Sequence, residues 1–128
     1  TRTPADLRCY AAEGARGAGA TYPAAGETLL YTIREPVGIV GAITPWNFPL
    51  NIPSRKLGPA LAVGNPVVFK PSEVTPLMGQ RLVEALLAGG LPAQAIALVQ
   101  GAGPAGAAVA GRGRVPAWTF PGSTRVGR

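Results

Sequence analysis

VGIVGAI (37–43) and PVVFK (66–70) are short runs, apolar up to the terminal Lys70, and each is bounded by turn residues. Runs of that length and composition read as β-strands buried on both faces, which is how strands of a helix-covered parallel sheet look. Between them SRKLGPALAV (54–63) has helical spacing, with Pro59 as an internal obstacle. After them Thr75-Pro76 opens the clearest helix in the chain. Thr is its expected cap, Pro takes the first helical position, and Met78, Leu82 and Leu86 share one face. Gly89-Gly90 followed by Leu91-Pro92 stops that helix. AIALV (95–99), an alanine-rich helix over Pro104–Ala110, and VPAWTF (115–120) continue the alternation. Pro116 makes the last strand an edge strand or a strand start. Strand and helix in alternation specify an α/β fold with a parallel sheet and flanking helices.

Outward from this centre, Pro4–Glu13 suits a helix with Thr3 as its cap, and the small-residue stretch Gly14–Gly26 breaks it. Thr28–Ile33 is β-branched and aromatic enough for a strand, which Arg34-Glu35-Pro36 ends. At the other end the alternation breaks off at Gly122-Ser123-Thr124, where a helix should open. The expectation is a truncated piece of a longer polypeptide, with apolar strand faces left sticky.

Composition removes much chemistry. Glycine (18) and proline (14) make up a quarter of the 128 residues, yet apolar content of 47 % and charged content of 14 % do not suit a disordered chain. The net charge is +6, but the arginines are scattered, with no run, no helix stripe and no interleaved aromatics, so no nucleic-acid partner is expected. No apolar stretch is long enough for a membrane-spanning helix. One cysteine rules out an internal disulfide, and the absence of histidine rules out Ser-His-Asp, Cys-His and His-ligated zinc sites within these residues. No metal site is expected, and the lack of a sorting segment points to the cytoplasm.

Four stretches could carry chemistry. Gly101-Ala102-Gly103-Pro104-Ala105-Gly106 satisfies G-x-G-x-x-G, but it follows the third strand of the parallel set and no acid lies beyond Glu84, so it does not fit the pyrophosphate fingerprint well. Lys70-Pro71-Ser72-Glu73 ends a buried strand, where an ammonium and a carboxylate could hold ribose hydroxyls or a phosphate; a solvated surface ion pair is the alternative. Gly122-Ser123-Thr124 offers either an anion nest or an ordinary helix cap. Pro45-Trp46-Asn47-Phe48-Pro49 holds an amide that could donate to a developing oxyanion, or one that only bonds its own backbone. Cys9 has no base nearby in sequence and reads as an inert thiol.

ITPWNFP (43–49), KLGPALAVGNPVVFKPSEVTPL (56–77), AGGLPAQAIALVQGAG (88–103) and FPGSTRVGR (120–128), in this order, resemble the NAD(P)-dependent aldehyde dehydrogenase superfamily. The resemblance runs from about Glu35 to Arg128, with weaker similarity before it. It implies a partial Rossmann-like cofactor domain over 37–128, preceded by an N-terminal helix and connection (1–18) and an extended arm (19–36) that pairs subunits in a dimer or tetramer. Asn47 falls on the asparagine that stabilises the oxyanion of the thiohemiacetal. Ile43, Thr44, Pro45 and Trp46 match the strand end and turn lining the cofactor site. Lys70 matches the lysine on the adenosine ribose, with Ser72 beside it, and Glu73 the acid that takes the ribose hydroxyls. A glutamate there repels a 2′-phosphate, so NAD is the expected cofactor, with NADP as the alternative. Gly103 and Gly106 match the loop near the adenine. Phe120, Gly122, Ser123, Val126 and Gly127 match the stretch beside the pyrophosphate.

The implied activity of the parent is oxidation of an aldehyde to a carboxylic acid, and the context NIPSRKLGPAL (51–61) is similar to that of relatives acting on semialdehydes. Departures are Pro121 where threonine is usual, which removes a backbone donor, Pro66 before the second strand, and a basic Arg112–Pro116 stretch. The family's nucleophilic cysteine and general-base glutamate are not matched within 1–128, and Cys9 does not stand in for the nucleophile. The isolated chain is therefore expected to be inactive. A stand-alone nucleotide-binding module and a non-functional remnant are the rival readings.

Overall fold

The computed structural model describes residues 2–111 and 113–124. Four parallel strands form the central sheet: β3 (Val40–Ile43), β4 (Val67–Lys70), β5 (Ile96–Leu98) and β6 (Ala117–Thr119), in the order β5-β4-β3-β6. Helices α2 (Asn51–Ala62), α3 (Pro76–Ala88) and α4 (Gly103–Ala110) make the crossovers. From β3 the chain steps outward to β4 and then β5, and it returns through α4 to lay β6 on the other side of β3. The reversal leaves a switch point between β3 and β6, and ligands of open α/β sheets bind outside the carboxyl ends of strands at such a point.

Pleat alternation sorts the side chains. Ala42 lies beside Phe69 in register and Ile43 beside Lys70. Ala42, Val67, Phe69 and Ile96 pack with Leu57 of α2 and with Leu82 and Val83 of α3 into one buried core. The opposite face meets α4, where a Cβ on Gly106 would lie 3.3 Å from Lys70 Cδ and 3.6 Å from Ile43 Cδ1.

Before the sheet stand α1 (Arg2–Gly14) and an antiparallel pair, β1 (Ala20–Tyr22) with β2 (Leu30–Thr32), exposed throughout. Helix α1 packs on α2 through small residues: a Cβ on Gly58 would meet the Tyr10 ring at 2.8 Å, and one on Gly14 would meet Ala62.

Several expectations change. Strand β1 lies inside 14–26, which reads in sequence only as a break; its three residues are held by pairing with β2 rather than by their own pattern. Helix α1 already includes Thr3, so Thr3 does not cap it. Residues 37–39 stay outside β3, because Gly38 takes φ 103° and donates its N–H to Asn65 Oδ1 at 3.2 Å. Helix α2 starts three residues before the expected Ser54, with Pro53 in its first turn and Pro59 tolerated inside. Thr75 makes no side-chain cap on α3; Ser72 closes that turn instead, its Oγ accepting from Val74 N at 3.2 Å and its carbonyl from Thr75 N at 3.1 Å. Among the described residues β6 is an edge strand, one of the two outcomes that Pro116 allows.

Gly41 of β3 lies in register with Trp118 of β6, and the Trp118 ring covers it where any Cβ would overlap. Gly41→Ala is expected to cost about 1–3 kcal/mol through overpacking. Urea unfolding measures the loss, and in a Trp46→Phe background a shifted Trp118 emission reports the displaced ring.

Candidate functional site

Three groups of residues gather at the carboxyl edge of the sheet. The first centres on Lys70, the last residue of β4, which is only 5 % exposed. Its aliphatic stem passes under Gly106 of α4, and its Nζ donates to Pro71 O at 3.1 Å and to Glu73 Oε2 at 3.5 Å. A buried ammonium without such acceptors would be costly. The Glu73 side chain itself is half exposed. Its carboxyl is held below the ordinary value of 4.5, first by a hydrogen bond from its own backbone and then by the Lys70 charge. Ser72 is buried and already accepts from Val74 N, so its hydroxyl keeps its donor and one lone pair for another partner. Gly103 opens α4 with nothing within 4 Å of its Cβ position, while Gly106 is enclosed.

The second group follows β3. Thr44 N donates to Lys70 O at 3.1 Å, continuing the ladder one step beyond the strand, and Pro45 then ends it for want of an N–H. Thr44 is 3 % exposed and its Oγ1 has no hydrogen-bond partner among the described residues. Trp46 and Phe48 are each 60 % exposed, and Asn47 between them is exposed. Asn47 and Phe48 line an open groove of about 1130 Å³ that runs between α1, α2 and α3, with Ile52, Arg55, Met78 and Leu82 among its walls. None of the described hydrogen bonds ties the Asn47 amide to its own backbone.

The third group ends β6. The Phe120 ring covers Gly122, while Gly122 and Ser123 are exposed. Pro121 shares a smaller cavity of about 410 Å³ with Tyr10, Ile52, Arg55 and Lys56. Val126 and Gly127 lie outside the described residues.

The fold therefore brings Ile43, Lys70, Ser72, Glu73 and Gly106 together, and separately sets Asn47 on the groove walled by α2 and α3. Arg55 and Lys56 were not singled out as site residues in the sequence. The signal available was a pair of adjacent cations just after the Pro-Trp-Asn-Phe-Pro turn, in a helix with no acid in its first turn. Among the described residues no cluster of His, Cys, Asp or Glu could hold a metal ion, and no helix is long and apolar enough to cross a membrane.

Because the folded pKa of Glu73 is lowered, its contribution to stability is present above the ordinary carboxylate value and is lost as pH falls through the lowered one. Carboxyl NMR titration is expected to find Glu73 below 4.5, and Lys70→Met to return it only part of the way, since the backbone hydrogen bond remains.

The sequence model of the aldehyde dehydrogenase family matches residues 1–128. The 2,5-dioxopentanoate dehydrogenase of Saccharolobus solfataricus is 45 % identical over 130 residues, covering all of this chain and 27 % of that protein. The mitochondrial aldehyde dehydrogenase of Homo sapiens is 46 % identical over 123 residues, covering 95 % of this chain and 24 % of that protein. Among solved structures, PnpE in complex with nicotinamide adenine dinucleotide superposes with a TM-score of 0.95 at 43 % identity, over 99 % of this chain and 26 % of that one. The chain thus spans about a quarter of the length of the relatives it matches.

Proposed function

The chain belongs to the aldehyde dehydrogenase family, and from that premise we propose that it forms part of the NAD site and one oxyanion donor of an enzyme that oxidises an aldehyde to a carboxylic acid. The observation that carries this reading is the buried Lys70 at the end of β4, paired with Glu73 at 3.5 Å and roofed by Gly106. The residues present fit the adenosine half of NAD. Lys70 and Ser72 offer donors, Glu73 offers an acceptor to vicinal hydroxyls, and the open space at Gly103 beside the enclosed Gly106 leaves room for a flat ring. Ile43 lies beside Lys70 and faces Gly106 of α4 with it, and Thr44, Pro45 and Trp46 extend the same edge. The bound complexes of the relative PnpE and of the aldehyde dehydrogenase from Bacillus cereus support NAD. Glu73 disfavours the 2′-phosphate of NADP by charge.

When bound, NAD supplies the acceptor for hydride. The chain's own contribution is positional. The Asn47 amide donates to the oxygen of the aldehyde as negative charge develops on it, an effect worth about 3–4 kcal/mol where such donors have been removed. Phe120, Gly122 and Ser123, with Val126 and Gly127 after them, would flank the pyrophosphate, where Pro121 offers no N–H. Helix α1 with its connection (1–18), the exposed β1–β2 ribbon (19–36) and the sheet region (37–128) would act as brace, subunit-pairing arm and cofactor domain of a dimer or tetramer. The attacking thiolate and the general base belong to residues beyond this stretch, so residues 1–128 alone turn over no aldehyde.

Titration with NAD is expected to quench the exposed Trp46 saturably in the full polypeptide carrying these residues, and Glu73→Ala to weaken binding roughly 10-fold or more through loss of a charge-assisted hydrogen bond. Equal affinity in Glu73→Ala would remove Glu73 from the site. NAD reduction by residues 1–128 alone would overturn the positional role assigned to them.

A further inference from the structure

One short segment carries both charges at the end of β4, and it holds them unequally. Lys70 is fixed: its side chain is buried, its stem lies under Gly106, and its Nζ donates to Pro71 O at 3.1 Å and to Glu73 Oε2 at 3.5 Å. Glu73 is half exposed, and a 3.5 Å contact to one ammonium does not hold a carboxylate of that exposure against water. The first cause of its lowered pKa is its own backbone, ahead of the Lys70 charge. The direction of that backbone N–H belongs to the turn, and Ser72 closes the turn twice. Its Oγ accepts from Val74 N at 3.2 Å and its carbonyl accepts from Thr75 N at 3.1 Å. Ser72 is itself buried, so water has little access to take the place of its hydroxyl.

We propose that Ser72 is a positioning residue: it holds Glu73 in front of Lys70 and thereby sets how strongly the site rejects a ribose that carries a 2′-phosphate. This rests on the reading of Lys70 and Glu73 as the adenosine end of an NAD site. A carboxylate repels a phosphate only while it stays in place. Once free to swing into water, it uncovers the Lys70 ammonium, a cation the fold has already placed, and a phosphate then finds a charged donor there. Loss of Ser72 therefore acts in opposite senses on two ligands that differ by one group. Binding through free vicinal hydroxyls weakens, and binding through a 2′-phosphate improves. A change that merely loosened the fold would weaken both.

The test measures dissociation constants for NAD and NADP through Trp46 quenching, in the full polypeptide that carries residues 1–128. The variants are Ser72→Ala, Ser72→Thr, Glu73→Ala and the double variant Ser72→Ala with Glu73→Ala. The wild type is expected to prefer NAD. Ser72→Ala should lower that preference roughly 5-fold, the size of one lost hydrogen bond. Ser72→Thr keeps the hydroxyl and should hold the preference within about twofold of the wild type. With Glu73 already replaced, Ser72→Ala should change the preference no further, because the serine acts through the glutamate. An unchanged preference in Ser72→Ala overturns the proposal. So does an equal fall in the absence of Glu73, which would make Ser72 a contact of the ligand itself. If Glu73→Ala leaves the wild-type preference untouched, the adenosine reading fails, and carboxyl NMR then decides Ser72 by itself. Glu73 should titrate closer to 4.5 in Ser72→Ala than in the wild type as its backbone hydrogen bond loosens, and identical titrations overturn the assignment.

Discussion

The parallel pairing of β3 with β4 sets Ile43 beside Lys70 and continues through Thr44 N to Lys70 O at 3.1 Å. Everything at the carboxyl edge hangs from that register. A slip of β4 by one residue would turn Lys70 from the α4 face into the apolar core and send Phe69 out of it. Proline ends the ladder at a common level. Pro45 follows β3 by two residues, Pro71 follows β4 directly, and Pro121 follows β6 by two. None has an N–H to offer the next ladder position, so three chains leave the sheet together and leave their turns free for ligands.

Burial of Lys70 shows how the two faces divide their work. The α2–α3 face is closed by Leu57, Phe69, Leu82 and Val83, an apolar core that needs no polar partner. The α4 face is closed by a cation, whose stem packs under a glycine and whose head is satisfied by Pro71 O and Glu73. A side chain at Gly106 would press on that stem at 3.3 Å, so the small residue and the buried lysine depend on each other. Buried charge of this kind weakens a fold unless paired, which is why it marks a site better than it marks stability.

The groove is made by a different contact. Gly58 and Gly14 let α1 approach α2 closely, and the N-terminal turns of both helices then stand opposite α3. Tyr22, Leu30 and Tyr31 on the β1–β2 ribbon remain about half exposed, which is what supports the proposal that the ribbon is a subunit-pairing arm.

Much of this architecture is legible in the residues taken in order. Apolar runs at 37–43 and 66–70, the Thr-Pro start of α3 and its Gly-Gly end report local burial and local backbone chemistry, and those properties belong to neighbours along the chain. The same holds for the short motifs around Asn47, Lys70 and Glu73, whose spacing carries the family. Strand β1 was not legible, because three residues with no burial of their own become a strand only by pairing with β2. Nor was the missing side-chain cap of α3: Thr75 makes none, and Ser72 instead closes the turn that precedes the helix. The strand order that puts β6 beside β3, and the meeting of two cavities at Arg55, were decided by the tertiary structure alone. Both depend on which distant segments share a surface, and a pattern read along one chain holds no information about the far side of a contact.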